Sequence, residues 1–291
     1  MSVGTGGRDV DVMEARSRDA RQGRRVRALM LAAALLYVGI LLVAPLAGIA
    51  WSALKGGLGT VWDTLQQPDV LHAFYLTVVI TVVTVVVTSV FGVIVALVLS
   101  RDRFPGKRLV SAIVDLPLAV SPIIVGLMAV LLFGNGGWFE PWFTAHGIQI
   151  LGALPSMILV TVFVAIPFVI REVYPVLEEL GMEEEQAAWT LGASRLQTFF
   201  RVTLPNIRWG LLYGIALSTA RALGEVGAVL IVSGLIQGQT ETATLYIYRA
   251  FEQNQYTQGY VVALVLALVS IVLLVVIEHS KKRRIQEASD E

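Results

Sequence analysis

The chain has 291 residues, 56% hydrophobic and 15% charged, with equal numbers of acidic and basic residues and no cysteine. Soluble domains run at about 45–50% apolar and about 25% charged, so this composition argues for a membrane protein. A formal net charge of zero provides no global field for nucleic acid, and the lack of cysteine excludes a disulfide framework or a thiolate nucleophile.

In chain order, residues 1–27 are rich in Arg, Asp, Gly and Ser and read as a disordered basic tail. Six apolar segments follow, near 28–50, 75–99, 109–133, 155–170, 209–232 and 259–277. A bilayer span needs about 20 apolar residues. Hydrocarbon leaves no partner for unpaired backbone groups, so these segments are expected to be helices, the Val-rich 78–90 included. The apolar stretch of the first segment exceeds a signal-peptide core of about 7–15 residues, so it reads as a retained helix. The charged end, 281–291, reads as a tail.

Orientation follows from the basic residues. Arginines 16, 18, 21, 24, 25 and 27 precede the first span. Arg101, Arg103, Lys107 and Arg108 lie between spans two and three, and Arg195, Arg201 and Arg208 between spans four and five. Lys281, Lys282, Arg283 and Arg284 follow span six, whereas the opposite loops hold Lys55 and Arg249. The asymmetry places both termini in the cytoplasm. The six tryptophans fall at span ends or in loops, as interfacial aromatics do.

The chain lacks the chemistry of a self-contained pump. Gly106-Lys107-Arg108 lacks the upstream glycine and the Ser/Thr of a phosphate-binding loop, and neither a nucleophile elbow nor a metal-binding helix motif appears. His72, His146 and His279 lie on different segments and read as incidental. Uphill transport would therefore draw on ATP hydrolysed by another chain.

The loop 178–208 is too patterned for a plain connector. Glu183, Glu184 and Glu185 lead into a short helix through Gln186, Ala187, Ala188 and Leu191, with acidic residues at the positive end of its dipole. Gly192 fits a left-handed helix end, and a second helix over 194–202 is expected to stop at Pro205. In the fifth segment, Arg221 and Glu225 are four apart and positioned to pair, with Ser218 and Thr219 close by. Gly210/Gly214 and Ala220/Gly224 give small-residue spacing for close helix approach. The Arg221–Glu225 pair reads equally as a pathway wall or a packing device. Pro117, Pro122 and Pro167 mark possible kinks, and Asp115 reads as solvated near the cytoplasmic edge or as a structural cap.

Gln186-Ala187-Ala188, three residues, Gly192, nine residues, then Val202-Thr203-Leu204-Pro205 resembles the conserved cytoplasmic loop of permease subunits of binding-protein-dependent ABC importers. That family's pattern is Glu-Ala-Ala-x3-Gly-x9-Ile-x-Leu-Pro, so Gln186 and Val202 are departures. The resemblance covers roughly 28–280. Arg221 to Ala228 with Val232-Ser233-Gly234 is similar to span five of sulfate and molybdate permeases. Thr240 to Ile247, and Asp115-Leu116-Pro117 with Ser121-Pro122, look like the W-type permeases of sulfate/thiosulfate importers.

The resemblance implies an all-α integral membrane protein of six transmembrane helices with the type I ABC importer fold. A permease domain over 28–280 would contain the coupling loop 178–208. It implies coupling to an ATPase through Glu185, Gln186, Ala187, Ala188, Gly192, Leu204 and Pro205. It makes Ser121, Pro122, Ser218, Thr219, Arg221 and Glu225 candidates for the translocation pathway. The implied partners are an ABC ATPase dimer carrying ATP and Mg, a second T-type permease, an external sulfate-binding protein docking on loops 135–154 and 236–258, and membrane lipid. Catalytic residues and bound cofactors are not expected on this chain. The runner-up substrates are molybdate and tungstate, and a secondary anion transporter is the remaining alternative class.

Overall fold

The structure is a computed structural model that describes the backbone of residues 6–289 and the side chains of 27, 29–273 and 275. The chain divides into two compact units, 1–52 and 53–291. Among the described residues the first consists of helix α1 (Gly6–Leu54), whose last two residues fall in the second. The stretch expected to be a disordered tail is helical in its backbone from Gly6 onward; residues 1–5 lie outside the described residues. No proline interrupts this run before Pro45, so nothing local stops the helix from extending toward the N-terminus.

The second unit opens with α2 (Gly57–Leu65) and α3 (Pro68–Arg101). It continues through α4 (Lys107–Ala119), α5 (Pro122–Phe133), α6 (Glu140–Ala145) and α7 (Leu154–Leu180). Then come α8 (Glu183–Thr190), α9 (Arg195–Thr198), a widened π turn (Phe199–Thr203) and α10 (Leu204–Leu223). α11 (Gly227–Val232), α12 (Ala243–Glu252) and α13 (Tyr256–Ser289) complete it.

α3 shows why the fold suits a bilayer. Thr77, Thr81, Thr84 and Thr88 share its inward face and are at most 6% exposed, while Val78, Val82, Val86 and Val90 face outward at 54–57%. A water-soluble helix would reverse this arrangement. Among the described residues four helices are long and apolar enough to cross a membrane: Leu29–Leu54, Pro68–Arg101, Leu154–Leu180 and Tyr256–Leu273. α4 and α5 make a fifth span only if counted as one, and they meet at a bend of 112°.

The expected segments 109–133 and 209–232 are therefore not single straight helices. The first breaks because Val120 and Ser121 are extended and Pro122 opens a new helix. The second breaks at Gly224-Glu225-Val226, between α10 and α11. Pro205 also does not stop a helix. It sits in the first turn of α10, where a missing N–H is tolerated, and the π turn joins α9 to α10 without a gap.

The core lies where α3, α7 and α10 cross. Gly92 of α3 approaches Val169 so closely that an added Cβ would sit 2.8 Å from its Cβ. Gly210 and Gly214 of α10 press on the backbone of α7, at Glu172 and Val169, as the small-residue spacing predicts. Gly224, by contrast, makes no such approach to another helix. Val93, Ala96, Leu99, Val173, Leu177 and Ile207 fill the end of the bundle nearest α8. Val125, Ala129, Met157, Val160, Val229 and Leu245 fill the other.

Candidate functional site

The segment from α8 to the start of α10 is tied to the bundle by one buried carboxylate. Three consecutive glutamates open α8, and Glu185 is the buried one. Its Oε1 accepts from Arg101 Nη2 at 3.0 Å and from the Thr203 hydroxyl at 2.9 Å. Arg101 also donates through Nη1 to the Leu177 carbonyl at 3.1 Å. The side chains of Arg101 and Glu185 are 14% and 10% exposed. The ends of α3 and α7, the helix α8 and the π turn are thus fastened at one point. Glu184 holds the Asn206 side chain, adding a second link to α10.

α8 ends in a hydrogen-bonded reversal. Gly192 N donates to Trp189 O and Ala193 N to Ala188 O, each at 3.0 Å, with Gly192 at φ +87°. This is the Schellman closure, and its left-handed residue favours glycine. Ser194 then starts α9 with a reciprocal cap: its hydroxyl accepts from Gln197 N and Gln197 Oε1 accepts from Ser194 N.

The outward residues of the segment are mixed, with large apolar side chains among polar and charged ones. Gln186 and Ala187 are exposed and Ala188 is half-buried, while Leu191, Leu196 and Phe200 are 88%, 69% and 57% exposed. Leu204 is half-buried against the core, and Pro205 is exposed. The seven residues expected to act together thus divide: Glu185 and Leu204 face the bundle, Ala188 is half-buried, and Gln186, Ala187, Gly192 and Pro205 face out.

The pathway candidates also divide. Arg221 Nη1 lies 2.6 Å from Glu225 Oε2, pairing across the helix break rather than along one helix face. Glu225 is 3% exposed; its Oε1 accepts from Ala228 N at 2.8 Å and its carbonyl accepts from the Thr244 hydroxyl at 2.8 Å. Ser218 and Thr88 share a buried hydrogen bond of 2.9 Å between α10 and α3. Thr219 bonds its own helix at Ile215 O. Ser121 precedes α5, and Pro122 packs on Gly227 beside the Glu225 break. Glu225 and Pro122 therefore belong to one neighbourhood, while Ser218 and Thr219 are occupied by helix bonds.

Three charged pairings were not read from the sequence. Arg101 was visible only as a loop charge, because nothing local links it to a carboxylate 84 positions away. Asp115 and Arg171 form an ion pair of 2.9 Å between α4 and α7. Glu241, 1% exposed, takes a bidentate grip from Arg249 at 2.6 and 3.0 Å, and Arg249 lies over the Tyr246 ring. Glu241 holds the Arg249 pKa above its ordinary value, and burial pushes the Tyr246 phenol up. The Tyr246 hydroxyl reaches Gln67, and Thr77 accepts from Ala243 N, so α12 is locked to the start of α3. Among the described residues no group of His, Asp or Glu is placed to hold a metal.

Comparison with known proteins gives a consistent picture. The family model for the binding-protein-dependent transport system inner membrane component matches residues 88–285. The sulfate transport system permease protein CysW of Synechocystis sp. is 44% identical over 89% of this chain and 94% of its own length. CysW of Escherichia coli K12 is 40% identical over 97% of this chain and 99% of its own. The related CysT of the same strain is 36% identical over 88% and 92%. A crystal structure of a bacterial alginate ABC transporter in complex with a pentasaccharide-bound periplasmic protein shares the fold. Its TM-score is 0.75 at 19% identity, over 91% of this chain and 96% of that one.

Proposed function

The chain belongs to the binding-protein-dependent transport system inner membrane component family, and we propose that it is the transmembrane permease subunit of an ABC importer for sulfate or thiosulfate. The observation that carries this is likeness to the CysW permeases, at 40–44% identity over 89–97% of the chain. The geometry of the 183–205 segment agrees with it. A lever must be fixed to the bundle and open to a partner. Glu185 provides the fixing, and Leu191, Leu196 and Phe200 provide an uncovered apolar face.

In this reading both termini and loop 178–208 are cytoplasmic, within a permease domain spanning 28–280. A separate ATPase dimer binds ATP and Mg and docks on Gln186, Ala187, Ala188, Leu191 and Gly192. A T-type permease completes the pathway, and an external sulfate-binding protein delivers substrate. ATP closes the ATPase dimer, and the motion enters α10 through the rigid link from Glu185 to Thr203. The same motion reaches α3 through Arg101. Differential binding of ATP and of loaded binding protein to the two states drives the alternation, and no covalent step occurs on this chain. Arg221, Glu225, Ser121 and Pro122 lie where α5 meets α11, and this contact forms part of the pathway wall.

The test is uptake of labelled sulfate by the full complex in proteoliposomes, with thiosulfate, molybdate and tungstate as unlabelled competitors in turn. Uptake that requires ATP and yields to sulfate or thiosulfate supports the reading. Uptake that yields only to molybdate or tungstate reassigns the substrate, and uptake that survives ATP depletion refutes the class.

A further inference from the structure

The ion pair between Asp115 and Arg171 joins α4 to α7 at a distance from the Glu185 anchor. Arg171 lies on α7 two residues from Val169, against which both Gly92 of α3 and Gly214 of α10 press. Leu177, which receives Arg101, lies six residues on, about 9 Å further along the helix. Arg171 is thus set inward from the charged end of the bundle. Yet its side chain is 56% exposed and that of Asp115 is 43% exposed. Charges on or beside a membrane span avoid lipid and face protein or water.

The bonding of Arg171 narrows the choice. Arg101 and Arg249 spend their terminal nitrogens on protein acceptors. Arg171 gives Nε alone to Asp115 Oδ1, and its two terminal nitrogens carry no hydrogen bond among the described residues. Two parallel N–H donors on a planar cation are the fork that grips a tetrahedral oxyanion. Its counter-ion stands on a helix that ends at a break. Asp115 belongs to α4, which turns through 112° into α5 at Val120–Ser121, and α5 packs on α11 beside Glu225.

We infer that Arg171 is an oxyanion-binding residue of the translocation pathway and that Asp115 is its resident counter-ion, displaced when the substrate passes. This rests on the sulfate-permease reading. When α4 swings about the break, Asp115 leaves Arg171 and the guanidinium is open to a divalent oxyanion. When α4 returns, the carboxylate competes the anion off toward the coupling end. Retention and release are then set by one cation and one mobile anion.

The natural absence of cysteine makes the test direct, because Arg171→Cys places the sole thiol in this chain. In the assembled complex in proteoliposomes, that variant is expected to move about tenfold less sulfate per ATP hydrolysed, the loss of one charged hydrogen-bonding group. A water-soluble cationic methanethiosulfonate restores part of the transport. The anionic analogue labels the same thiol without restoring transport, and added sulfate slows both reactions. Asp115→Asn leaves Arg171 uncompensated, so it slows release while the ATP hydrolysis stimulated by loaded binding protein persists. The inference is overturned if the thiol is inert to both reagents in the assembled complex. It is equally overturned if the exchange Asp115→Arg with Arg171→Asp restores parental transport, since a packing pair tolerates reversal and an anion site does not. If the parental complex moves no sulfate, the substrate reading fails on its own. Labelling of the Arg171→Cys thiol, and its slowing by other oxyanions, still judges the site.

Discussion

Glu185 joins three elements through one oxygen, so its removal should be felt beyond its own helix. Glu185→Ala leaves the Arg101 guanidinium with the Leu177 carbonyl as its remaining named partner and leaves the Thr203 hydroxyl without its acceptor. The expected cost is about 2–4 kcal/mol, less than for a fully buried pair because both side chains keep 10–14% exposure. It should appear as a lowered melting temperature of the detergent-solubilised chain, and Glu185→Gln should recover part of it. Gln186→Glu, at an exposed neighbour, should change stability by no more than about 0.5 kcal/mol. A larger loss from Gln186→Glu than from Glu185→Ala would show that the anchor has been misplaced by one residue. The sequence pattern marked both positions and could not rank them. Burial depends on Arg101 and Thr203, which lie 84 and 18 positions away.

At the scale of elements, apolar length located the helices and missed where they break. The fifth segment divides where Glu225 takes two local partners, the Ala228 amide and Arg221, and one distant partner, the Thr244 hydroxyl. Thr244 is 19 positions away, and no window of hydropathy contains that information. The close helix crossing was legible, since Gly210 and Gly214 give the spacing that backbone contact requires. Gly214→Ala should therefore cost about 1–3 kcal/mol, because the new Cβ would stand 2.9 Å from the Val169 backbone, which has no rotamer with which to retreat. Gly59→Ala in α2 meets nothing within 4 Å and should instead stabilise by about 0.5–1 kcal/mol. Melting temperatures of the two single variants, measured side by side, check both signs. Equal effects would mean that helix propensity, and not the crossing of α7 and α10, dominates at Gly214.

At the scale of the whole molecule, two surfaces are apolar for different reasons. The valine face of α3 is uniform and flat in chemistry, as lipid contact demands, and it lies within a helix long enough to cross a bilayer. The face of Leu191, Leu196 and Phe200 lies on short helices with charged neighbours such as Arg195 and Arg201, beyond the end of α7. Lipid does not explain the second surface, whereas the ATPase groove proposed above would. Leu191 is 88% exposed and follows the last turn of α8, so Leu191→Asp removes no internal contact of this chain. Its melting temperature as an isolated chain should stay at the parental value. Co-purification with the ATPase should fall about tenfold or more, the loss expected when a buried leucine contact becomes a desolvated carboxylate. Sulfate uptake should fall with it. Binding of the external sulfate-binding protein to the permease pair should persist, because α12 and its lock on α3 lie among different residues. An unchanged ATPase association would move the docking surface away from α8. A lost binding-protein interaction would place the 183–205 segment on the outer face, and the assigned orientation would then be reversed.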